Sequence, residues 1–74
     1  MRLSKEFKNW FKYENVRRNG TYNMIMEAAE ASKTAKMTLN DYTQTLKRYS
    51  FIKQKIEEQF TQEEIDKYVK EALK

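Results

Sequence analysis

At 74 residues, with 15 Lys+Arg against 11 Asp+Glu and a net charge of +4, the chain has the size of one small basic domain. It contains no Cys, His or Pro and one Gly, which excludes disulfides, thiolate and imidazole metal sites, and Ser-His or Cys-His nucleophile pairs. An apolar share of 39% and an aromatic share of 14% suit a collapsed globule.

The amino terminus carries Arg2, Lys5 and Lys8 but no following apolar run, so no signal peptide is expected. Ser4 is placed to cap a first helix whose Leu3, Phe7, Trp10 and Phe11 share one face, with Asn19-Gly20 as its stop. Thr21 or Asn23 is expected to cap a second helix carrying Tyr22, Ile25, Met26, Ala28, Ala29 and Ala35. After a break at Lys36-Met37, Thr38 with Asp41 resembles a capping box. Leu39, Tyr42, Leu46, Tyr49, Ile56 and Phe60 then recur at helical spacing, with Lys53 in the one missing place and Phe51 and Ile52 widening the stripe. Thr61 and Glu64 form a second box ahead of Ile65, Tyr68, Val69, Ala72 and Leu73, although no Gly or Pro separates these last two helices.

The expectation is an all-α chain: residues 1–74 as a single helical domain, a compact bundle of three to four helices with the third the longest. No apolar stretch approaches the roughly 20 residues that span a bilayer, so no membrane partner and a cytoplasmic location are expected. Domains of this size bury only about 60% of their unfolded surface. Self-association, for instance through the Tyr42, Tyr49 and Lys53 stripe, is therefore a possible source of extra stability. Charge is unevenly spread: +4 over residues 1–18, +3 over 19–56 and −3 over 57–74.

Two polar constellations stand out. Arg17, Arg18, Tyr22 and Asn23, with Lys12 upstream, flank the glycine turn. They form either a surface for an anion or an acidic protein partner, or simply a helix end whose arginines complement its dipole. Met24 to Tyr49 reads as a short helix, a brief turn and a second helix bearing Asn40, Gln44, Lys47 and Arg48, the layout of a helix-turn-helix DNA or RNA binder without its usual turn glycine. The carboxylates Glu57, Glu58, Glu63, Glu64 and Asp66 lack the glycine and loop geometry of a calcium hand. No enzyme, no metal and no cofactor are expected.

The run Arg17-Arg18-Asn19-Gly20-Thr21-Tyr22-Asn23-Met24-Ile25 resembles a group of small tailed-phage accessory proteins. In that group an aromatic helix leads into an R-x-G-x-Y-N-M-I-like turn, an Ala-rich helix, a Leu-x-x-Tyr helix start and a Tyr-Ser pair. The matching positions here are Arg18, Gly20, Tyr22, Asn23, Met24, Ile25, Leu39, Tyr42, Tyr49 and Ser50, within residues 7–52. Lys36-Met37 stands where the group has a glycine followed by Leu. The resemblance implies a phage-encoded, non-enzymatic protein that binds a host or defence (anti-defence) protein in the host cytoplasm. The alternatives are a DNA- or RNA-binding regulator using the 39–49 helix, or a protein sequestering a small phosphorylated ligand.

Overall fold

The computed structural model describes residues 3–74; Arg2, counted above with the basic amino terminus, lies outside them. Among the described residues five helices follow in order: α1 (Lys5–Asn19), α2 (Ala28–Thr34), α3 (Leu39–Lys47), α4 (Tyr49–Gln59) and α5 (Gln62–Glu71). The all-α expectation holds, with five helices in place of three to four. α1, at 15 residues, is the longest element, not the third helix.

The caps follow local sequence closely. Ser4 Oγ accepts the Phe7 N–H at 3.2 Å, and Gly20 ends α1 in the left-handed region at φ 70°. Thr38 Oγ1 accepts the Asp41 N–H at 3.1 Å, while the Asp41 carboxylate turns away to Lys5 at 3.6 Å. At α5 both halves of the capping box form: Thr61 N–H donates to Glu64 at 2.9 Å and Glu64 N–H to Thr61 at 3.2 Å. Each is an interaction over three residues, which is why it was readable without the fold.

Two expectations about helix boundaries fail, one for a tertiary reason and one for a local one. The expected third helix breaks at Arg48 (φ −105°, ψ 13°) into α3 and α4. A straight rod from Leu39 to Gln59 would run about 31 Å and could not bend around α1. The break lets Tyr42 pack toward α2 and the second half of α1, while Ile52 and Ile56 pack toward the first half of α1 and α5. The second helix also starts late. Asn23 Oδ1 accepts the N–H groups of Ile25 and Met26 at 3.0 and 2.9 Å, holding a turn that precedes α2. Ile25 and Met26 are thereby left 74% and 85% exposed instead of facing the core.

α1 is the hub, touching all four other helices. Phe7, Trp10 and Phe11 feed a cluster with Ile52, Ile56, Phe60, Ile65 and Val69; Tyr13 and Val16 feed another with Ala31, Ala35 and Tyr42. Tyr49 packs against both. The stripe considered for self-association is thus largely closed within the monomer, with Tyr42 fully buried. Leu39 and Phe51, by contrast, stay about half exposed at 52% and 50%.

The turn between α2 and α3 forms without its glycine. Lys36 N–H donates to Lys33 C=O at 3.0 Å and Met37 N–H to Ser32 C=O at 2.9 Å, the paired bonds of a Schellman ending. Lys36 occupies the left-handed position at φ 56°, where an L side chain costs about 1–2 kcal/mol. Lys36→Gly is therefore expected to stabilise the chain by roughly 0.5–1 kcal/mol, after allowance for glycine's larger unfolded-state entropy. A thermal melt should rise by a few degrees; an unchanged or lower midpoint would show the left-handed lysine to be unstrained.

Candidate functional site

Glu14 lies on the inward side of α1, only 2% exposed, yet it is a charged residue. It is satisfied by four donors: Arg17 Nε and Nη2 at 2.6 and 2.8 Å, Arg18 Nε at 3.0 Å, and the Tyr49 hydroxyl at 2.7 Å. Burial pushes its carboxyl up, but the bonds from Arg17, Tyr49 and Arg18 outweigh this and hold it below its ordinary value. Arg18 also reaches Asp66 on α5 at 3.0 Å, and that bond holds Asp66 low as well. Arg18 therefore ties α1 to α5 through Asp66, Tyr49 ties α4 to α1 through Glu14, and both guanidiniums have carboxylate acceptors within the chain.

The remaining members of that constellation go elsewhere. Tyr22 packs against the second cluster, its hydroxyl accepting from Thr34 Oγ1 at 3.2 Å. Asn23 fixes the turn before α2. Lys12 rims a mainly apolar groove of about 180 Å³ with Leu3, Phe11 and Tyr68. The five residues expected to form one surface thus occupy four distinct environments.

The second constellation is brought together. On α3, Tyr42 and Thr45 point inward, and helical geometry puts Asn40, Gln44 and Lys47 on the opposite face. All three are exposed. Among the described residues their side chains enter no hydrogen bond or ion pair, the polar side chains of α3 that do so being Asp41, Thr43 and Thr45. Arg48, at the end of α3, pairs with Glu6 at 3.1 Å and lies 5.1 Å above the Phe51 ring. Lys55 covers the same ring at 4.5 Å. Sequence reasoning had assigned Leu39 and Phe51 to the core and so missed them on this side of the molecule. The cations three residues before and four after Phe51 were the available signal.

The acidic helix α5 contacts α1 and α4 but neither α2 nor α3 among the described residues. Its carboxylates are thus held away from the α2–α3 unit. No group of three acidic residues is placed to hold a metal ion among the described residues, and no helix there is long and apolar enough to cross a membrane. Comparisons with protein-family models, with curated proteins and with solved structures gave no match.

Two further phenols, the half-buried Tyr49 and the buried Tyr42, bear on the electrostatics. Burial and the neighbouring Glu14 carboxylate push the Tyr49 hydroxyl up to about 12, and burial beside Tyr13 pushes Tyr42 up to about 12. Tyr42 donates to Met24 C=O at 2.6 Å, tying the turn before α2 to α3. A raised folded-state value means that the native chain holds the proton more tightly than the unfolded one. The stabilisation is then full below about 10, the unfolded value, and is lost as pH rises through about 12. Urea unfolding across that window should show the loss, and Tyr42→Phe should shrink its pH dependence; an equally steep alkaline loss in the variant would refute the assignment.

Proposed function

We propose that this chain is a small, non-enzymatic module that binds duplex DNA by laying α3 in the major groove. The observation that carries the reading is the Schellman-ended turn at Lys36 leading into a Thr38-capped helix on which Asn40, Gln44 and Lys47 have no partner among the described residues. In helix-turn-helix proteins the second helix enters the groove and its amino-terminal residues meet base edges, while the first crosses the backbone. Here Lys47 and Arg48 at the end of α3, with Lys33 and Lys36 at the turn, supply cations for phosphates. The first turn of α4 adds no acidic residue to oppose them.

Fluorescence anisotropy with a labelled mixed-sequence duplex tests this. Binding is expected at low salt, with log K falling linearly against log salt at a slope of about −3 to −4 for four phosphate contacts. Lys47→Ala should reduce the slope by about 1 while leaving the fold intact. Absence of binding to any duplex at low salt would remove the reading.

A second reading, capture of a protein partner, is favoured by the exposed Ile25–Met26 pair on the turn that Asn23 shapes beside Tyr22. It is the reading to which the tailed-phage resemblance leads, with a host or defence protein in the cytoplasm as target. An apolar contact of this kind should respond little to salt, and Ile25→Ser with Met26→Ser should abolish it without affecting DNA binding.

A further inference from the structure

Resting on the DNA reading above, we infer that α3 selects A·T base pairs through the major-groove edge of adenine. Asn40 and Gln44 lie one helical turn apart on the exposed face, and neither side-chain amide is engaged among the described residues. A carboxamide presents a donor and an acceptor side by side, the complement of adenine N7 and N6. Four residues of helix advance about 6 Å, against 3.4 Å per base pair. The two amides are therefore spaced to meet base pairs about two steps apart.

The other base contacts are closed off by what surrounds these amides. Guanine is read best by arginine or lysine. The two cations of α3, Lys47 and Arg48, stand at its far end, where this reading commits them to phosphates, and Arg48 also pairs with Glu6 at 3.1 Å. Cytosine needs a carboxylate acceptor, and Asp41, the acidic residue of α3, faces Lys5 at 3.6 Å. The Thr43 hydroxyl is spent on Leu39 C=O at 2.8 Å. Leu39 is half exposed at the very start of α3, an unfavourable placement for its side chain in the free protein. Against DNA it would meet the thymine methyl group, the one apolar feature of the major groove.

The test is competition anisotropy at fixed salt with three duplexes of equal length. One is an A·T-rich mixed sequence, one is G·C-rich, and one is the A·T sequence with 7-deazaadenine, which lacks N7. The first should bind about tenfold or more tightly than the other two. Asn40→Ala and Gln44→Ala should each erode that preference, leaving G·C binding, the salt slope and the helical circular dichroism unchanged. Equal affinity for all three would overturn the selectivity while leaving DNA binding intact. An A·T preference that survives 7-deazaadenine would also overturn it, by assigning the preference to groove shape. Failure to bind any duplex would remove the selectivity together with the reading it rests on.

Discussion

Trp10→Ala is expected to cost about 3–5 kcal/mol, the range for deleting a buried indole, a large part of the stability of a chain this short. Trp10 is 1% exposed at the centre of the first cluster. It stacks on Tyr49 at 5.4 Å and meets the Phe11 edge at 5.7 Å. Its N–H donates to Tyr49 C=O at 3.2 Å, just beyond the Arg48 break. One side chain thus carries core area and also holds the bend between α3 and α4 against α1. Domains keep roughly 0.05–0.15 kcal/mol per residue, so a chain this short has about 4–11 kcal/mol in hand. Trp10→Phe keeps most of the area but loses the N–H and should cost about 1–2 kcal/mol. Urea midpoints for the two variants provide the check: an alanine variant unfolding at the parental midpoint would mean that Trp10 does not hold the two halves of the fold together.

Glu14→Gln is the second large effect, expected to cost about 2–3 kcal/mol. Removing one partner of a buried ion pair costs about 3–5 kcal/mol. The figure is discounted here because the Arg17 and Arg18 side chains, 46% and 39% exposed, can return to water. The Tyr49 hydroxyl, packed between two clusters, has less freedom to find another acceptor. The pH dependence has a definite sign. A carboxylate whose folded-state value is depressed stabilises the native chain fully above its unfolded value, near 4.3. That contribution is lost as pH falls through the lower folded value. Parental protein should therefore lose stability on acidification below that point, and Glu14→Gln should show a flatter acid limb. An acid limb of the same steepness in both would locate the acid sensitivity elsewhere.

The two candidate surfaces differed in how far they could be read from residues alone. Asn40, Gln44 and Lys47 occupy one side of a helix whose other side is apolar, so their shared exposed face follows from the 3.6-residue period. For Arg17 and Arg18 the deciding fact was the position of Glu14, three and four residues upstream. That spacing was visible, but the Tyr49 and Asp66 partners that complete the staple lie 35 and 48 residues away. Lys36 shows the same limit: composition says that a glycine is missing from the turn, yet only the packed helices show that the left-handed conformation is kept regardless.

Local order wrote the helix starts and stops: Ser4, Gly20, Thr38 and the Thr61–Glu64 box act within one turn of backbone, and apolar spacing made the chain helical throughout. Packing around α1 decided the rest. It broke the 39–59 segment at Arg48, exposed Leu39 and Phe51, closed Tyr42 inside, and turned two arginines inward onto a buried carboxylate. Caps are short-range and survive in any context. A bend, a burial or a long-range ion pair depends on which distant side chains compete for the same volume, and that competition exists only once the helices have met.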